Sequence, residues 1–99
     1  MIYRMRIYQA VEHNLPKFHV FFRDFLLPIQ LRYGARLVGR WETEDQRVVA
    51  IWEYDDTAAY ERIAQAVRDD PASAVALQHR ESLGDLYTEY KDVLMLSTL

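Results

Sequence analysis

The order of strand and helix patterns in this 99-residue chain predicts an α+β fold. The topology is ferredoxin-like β-α-β-β-α-β, a four-stranded antiparallel sheet with helices on one face. Three observations carry that expectation. Runs rich in β-branched and aromatic residues at Ile2–Ala10, Ala35–Thr43, Arg47–Tyr54 and Lys91–Ser97 read as strands. Apolar residues at spacings of three and four follow the first and third of these runs, as amphipathic helices require. The length suits one domain, residues 1–99, with no room for a second core.

Each element has local reasons. Asn14 is a good N-cap residue, and Pro16 costs little in a first turn, where its N–H would lack an intrahelical partner anyway. Phe18, Phe22, Phe25, Leu26 and Ile29 then mark one face of a long helix that Gly34 ends. Val20, Leu27 and Leu31 form a second stripe, which suggests burial against another subunit. Pro28 frees the carbonyl of Asp24, so a kink is expected there. The next two strands meet at Glu44-Asp45-Gln46. Asp55-Asp56-Thr57 caps a second helix with Tyr60, Ile63, Ala64 and Val67 facing inward. Asp70-Pro71 ends that helix and starts another running to about Glu81. Residues 82–90 fit a loop, a helical turn or an early strand.

Alternation sorts the strand residues between the two faces. With Asp45 and Gln46 as a two-residue turn, Leu37, Trp41, Val48, Ala50, Trp52 and Tyr54 lie beneath the helices, joined by Tyr3, Met5 and Ile7. Arg4, Arg6, Tyr8, Val38, Arg40, Glu42, Val49, Ile51 and Glu53 fall on the other face; a three-residue turn would reverse part of this. Nothing in the chain covers that second face, so a homodimer packed sheet to sheet is expected. The candidate ligand-binding residues are Arg4, Arg6, Tyr8, Arg40 and Glu53 with His19. Arg6 and Tyr8 would orient an anionic or carbonyl-bearing small molecule. The competing reading is a structural ion pair from Arg4 or Arg6 across to Glu53.

Composition excludes several classes. Twelve basic and fifteen acidic residues give a net charge of −3, which is no footprint for nucleic acid. The chain has no Cys, hence no disulfide, thiolate nucleophile or Cys-ligated metal. No stretch suits membrane insertion or a signal peptide, so the cytoplasm is the expected compartment. His13, His19 and His79 lack metal-ligand spacing, and no phosphate cradle or GxSxG elbow is present, so neither metal nor cofactor is expected. Trp41, Trp52 and the tyrosines read as core and interface bulk.

The chain resembles the NIPSNAP family. The likeness lies in Tyr3-Arg4-Met5-Arg6-Ile7-Tyr8, Leu27-Pro28-Ile29-Gln30, Leu37-Val38-Gly39, Trp41, Thr43-Glu44, Val48-Val49, Trp52-Glu53-Tyr54 and Asp70-Pro71. It spans nearly the whole chain, although the hairpin turn is shorter than the family usually shows. The resemblance implies a dimeric α/β barrel of two ferredoxin-like units and supplies no mechanism. Three functions follow as expectations. The first is a homodimer holding a small apolar or amphipathic molecule in the barrel interior. The second is a cofactor-independent monooxygenase- or isomerase-type enzyme, with Tyr8 or His19 donating a proton and Arg6 stabilising an enolate. The third is a structural or interaction module with a filled barrel.

Overall fold

The computed structural model describes residues 1–99. β1 (Ile2–Ala10) leads through a short 3₁₀ turn, Glu12–Asn14, into α1 (Leu15–Phe21), a π-helical segment (Phe22–Leu26) and α2 (Leu27–Arg32). β2 (Arg36–Glu42) and β3 (Arg47–Tyr54) form a hairpin, followed by α3 (Thr57–Asp69), α4 (Pro71–Ser82) and β4 (Tyr87–Leu96). The sheet order is β2-β3-β1-β4 and every pairing is antiparallel. This is the expected ferredoxin-like α+β fold. β4 starts at Tyr87, earlier than the expected Lys91, so the last four residues of the ambiguous stretch 82–90 are strand and the rest is the end of a helix and a loop.

The helical rod shows how proline and core packing cooperate. Pro28 has no N–H to offer Asp24, and the turn before it widens, with the Leu27 N–H reaching back to the Phe22 carbonyl. The break therefore takes the form of a π-segment. Where it begins, adjacent Phe21 and Phe22 are both buried, each in a different apolar cluster. One cluster holds Tyr8, Phe18, Phe21, Ile29, Val48 and Ala76; the other holds Ile2, Phe22, Trp52, Tyr54 and Ile63. Val20 and Leu31 are exposed, whereas Leu27 packs against the second cluster.

Two caps behave as expected. The Ala59 N–H donates to Asp56 Oδ1 at 2.7 Å, and the Ala72 N–H to Asp70 Oδ1 at 2.8 Å. Asn14 does not act as a side-chain N-cap. It is buried, and its Nδ2 donates to the Asp85 carbonyl at 2.6 Å, which fastens the start of α1 to the segment entering β4.

The assignment of faces needs correction. Thr43 N–H donates to the Arg47 carbonyl at 2.9 Å, and Gln46 adopts φ 64°, so the hairpin loop has three residues, Glu44, Asp45 and Gln46. Adding one loop residue moves Trp41 opposite Val49 and Arg40 opposite Ala50. A bulge at Val38 then returns Leu37, now opposite Trp52, to its expected side of the sheet. Arg40 and Glu42 thus lie on the helix side, and Trp41 on the open face, half-exposed with its indole over Gly39. A Cβ at position 39 would sit 2.5 Å from that ring.

β1 is likewise turned over. Arg4, Arg6 and Tyr8 stand opposite Trp52, Ala50 and Val48, on the helix side. Tyr3, Met5 and Ile7 stand opposite Glu53, Ile51 and Val49 on the open face, continued on β4 by Met95, Val93 and Lys91. Both rows of β1 are amphipathic, so alternation alone does not tell them apart. The core-side row is tolerated because its arginines find an ionic partner on β4.

Candidate functional site beneath the helices

Five of the six candidate residues, Arg4, Arg6, Tyr8, Arg40 and His19, occupy the helix side of the sheet. They form two separate groups there. Glu53 belongs to neither: it lies on the open face, where Arg36 Nε donates to its Oε1 at 2.7 Å. That guanidinium and the Tyr3 hydroxyl hold the Glu53 carboxyl below its ordinary range. The expected pairing of Arg4 or Arg6 with Glu53 is therefore replaced by pairing with Asp92 of β4.

The first group surrounds Tyr8. Its ring is buried, edge-on to Phe18 with centroids 5.1 Å apart and tilted against Tyr87 at 4.8 Å. Burial raises the Tyr8 hydroxyl above its ordinary value, more than the opposing effect of nearby Arg6, so it stays a neutral phenol. The Arg6 guanidinium lies 5.2 Å from the centre of the Tyr8 ring and 4.5 Å from that of Tyr90. Asp92 Oδ1 is 3.0 Å from both Arg4 Nε and Arg6 Nε. Only Arg4 makes a hydrogen bond to it; Arg6 Nε is buried without one. Burial works against the charge of Arg4, but Asp92 and the Tyr54 hydroxyl outweigh it and keep the guanidinium charged.

A pocket of about 210 Å³ opens beside this group, between the sheet and the helices. Arg6, Tyr8 and Tyr87 form its sheet wall. Phe18, Phe21, Leu26 and Ile29 come from the helical rod, and Val67, Ala76 and Arg80 from α3 and α4. Arg80 Nη1 donates to the Tyr87 hydroxyl at 2.6 Å and lies 5.4 Å from that ring. Arg80 and Tyr87 were not singled out from sequence. Arg80 sits on a helix with little amphipathic contrast, and the strand character of Tyr87-Thr88-Glu89-Tyr90 was the available signal for the other.

The second group lies on the far side of Phe18. Arg40 Nη1 donates to His19 Nδ1 at 2.6 Å, which leaves His19 to donate from Nε2 to Glu42. The Arg40 guanidinium stacks 4.9 Å from the Phe18 ring and 4.5 Å from Phe22, and its Nη2 is buried without a partner. Burial lowers its pKa. This group ties α1 to the edge strand β2 and does not line the pocket. His13 is exposed in the 3₁₀ turn, and His79 stacks on Phe25 at 4.2 Å. No three metal-ligating side chains cluster anywhere in the chain, and no helix is long and apolar enough to cross a membrane.

Comparison with known proteins agrees with this architecture. A family model described as NIPSNAP matches residues 3–98. The chain belongs to the NIPSNAP family. Among solved structures, this NIPSNAP chain is similar to an uncharacterized NIPSNAP domain protein from Burkholderia xenovorans, with a TM-score of 0.85 at 24% identity, covering 99% of this chain and 95% of that one. A NIPSNAP family protein with unknown function from Agrobacterium tumefaciens gives a TM-score of 0.82 at 21% identity, covering 96% and 86%. An antibiotic biosynthesis monooxygenase gives 0.67 at 11% identity over 100% of both chains. These likenesses establish the fold. No curated protein matches the sequence.

Proposed function

We propose that this NIPSNAP protein is a homodimer that binds a small apolar or amphipathic molecule in the pocket beneath its helices. The observation that carries the reading is the pocket itself. It is lined mainly by apolar side chains, with a few polar ones, Arg6, Tyr8 and Tyr87 from the sheet and Gln30, Ser73 and Arg80 from the helices. The site thereby shifts from the open face, where the sequence placed it, to the opposite side of the sheet. The middle of the open face is apolar, with Met5, Ile7, Trp41, Val49, Ile51, Val93 and Met95, bordered by Arg36 and Glu53 at one end and by Gln9, Arg47, Glu89 and Lys91 at the other. A second copy presenting the same face would cover this surface, which supports the sheet-to-sheet dimer.

The enzyme reading keeps one specific observation in its favour. Tyr8 is a buried, neutral phenol in the pocket wall with a guanidinium over its ring, which suits a proton donor beside a developing oxyanion. Native mass spectrometry of freshly purified protein tests the binding reading. The expected species has twice the 11.8 kDa chain mass with added small-molecule mass retained. A bare monomer would contradict both halves of the proposal.

A further inference from the structure

Resting on the pocket reading above, we infer that the occupant is an amphipathic oxyanion, with a carboxylate or phosphate monoester head on a single ring or short chain. The charge around the aromatic trio Tyr8, Tyr87 and Tyr90 is unbalanced. Arg4 and Arg6 share the single carboxylate of Asp92. Arg80 has no ion pair, and its polar partner is the neutral Tyr87 hydroxyl. Three guanidiniums with one carboxylate at ion-pair distance leave two positive charges unpaired, in and beside a pocket whose remaining lining is apolar apart from Gln30 and Ser73. Asp85 shares a small cleft with Arg80 but makes no ion pair with it.

The hydrogen-bond inventory points the same way. Arg6 Nε is buried with no acceptor in its donor direction, although a carboxylate oxygen stands 3.0 Å away. Asp92 and burial close off that donor, but the terminal Nη groups of Arg6 are neither buried nor hydrogen-bonded, and they are open to an incoming oxyanion in the pocket that Arg6 lines. Arg80 commits Nη1 to Tyr87 and keeps further N–H groups of its fork for a ligand. The head would sit against Arg6 and Arg80, and the apolar body against Phe21, Leu26, Ile29 and Val67. The pocket of about 210 Å³ lies below the roughly 300 Å³ lower end of drug-sized sites, which restricts the body to one ring or a short chain.

Isothermal titration calorimetry on the full chain tests this with three probes that share one body: phenylbutyrate, phenylbutyl phosphate and phenylbutanol. Both anions are expected to bind more tightly than the alcohol by about tenfold or more, the value of one charge-assisted hydrogen bond. The tighter anion identifies the head. Added salt should weaken the anions and leave the alcohol unchanged. Arg80→Met and, separately, Arg6→Met should each remove the preference for the anion while preserving alcohol binding. Equal affinity of acid and alcohol for the wild type overturns the oxyanion inference and leaves the pocket reading standing. Anion affinity unchanged in both variants also overturns it. If none of the three probes binds, the pocket reading itself fails.

Discussion

Arg6 Nε and Asp92 Oδ1 stand 3.0 Å apart, directly across the β1–β4 ladder, without forming a hydrogen bond. The same oxygen accepts from Arg4 Nε at 3.0 Å, so one carboxylate serves two guanidiniums and its hydrogen bond is spent on Arg4. Asp92→Asn should therefore raise oxyanion affinity, since it removes the negative charge beside Arg6. The accompanying loss of stability should be about 1 kcal/mol or less, because the Asp92 side chain is 42% exposed and its ion pairs are screened. Calorimetry and urea denaturation of the variant check the two effects separately.

The link between His19 and Arg40 holds the edge strand to the helical rod. Truncating the histidine leaves a partly buried guanidinium without its acceptor. His19→Ala should cost about 1–3 kcal/mol. Replacing the charge as well, in His19→Ala combined with Arg40→Met, should recover much of that loss, because the Met side chain fills the space between Phe18 and Phe22 with no charge to solvate. Urea midpoints of the single and double variants decide the matter.

Asp70 gives the fold an acid-side dependence. The Tyr33 hydroxyl donates to Oδ2 at 2.6 Å, the Ala72 N–H to Oδ1 at 2.8 Å, and Arg32 Nη1 to Oδ2 at 2.8 Å. Together, with Tyr33 the largest, they hold its carboxyl below the ordinary range. A carboxylate lowered on folding adds stability that is complete above the unfolded value of about 3.9 and vanishes as pH falls through the folded value. The stability gap between wild type and Asp70→Asn should be constant near neutrality and close progressively below about pH 4. Thermal unfolding at a series of pH values measures it.

Ile51 sits at the middle of the open face, opposite Met5 on one side and Gly39 on the other. In the proposed sheet-to-sheet dimer, Ile51→Asp should place a charge at the centre of the interface and shift the assembly to monomer, with little change in the monomer's own packing. Sedimentation analysis reports the outcome; a dimer that survives the substitution argues for a different interface.

The sequence made the topology legible because helix and strand periodicities are local and strong. The faces were harder to read, for two local reasons. Gln46 adopts a left-handed conformation that the side chain does not advertise, so the hairpin loop reads one residue short and Arg40, Trp41 and Glu42 change sides. The bulge at Val38 then cancels that shift for Leu37, which is why the expectation held at one end of β2 and failed at the other. Arg4 and Arg6 look misplaced against the core until their partner is known, and Asp92 becomes that partner only through the register of the last strand. Arg6 and Tyr8 were legible as site candidates. Arg80 and Tyr87, which join the polar lining, meet them through tertiary packing that no spacing rule encodes.

The central claim is that the ligand site lies between the sheet and the helices. Amide NMR of the full chain titrated with phenylbutyrate tests it most directly. The account predicts shift changes concentrated at Phe21, Ile29, Val67 and Tyr87. Changes concentrated at Met5, Ile51 and Val93 on the open face would contradict it.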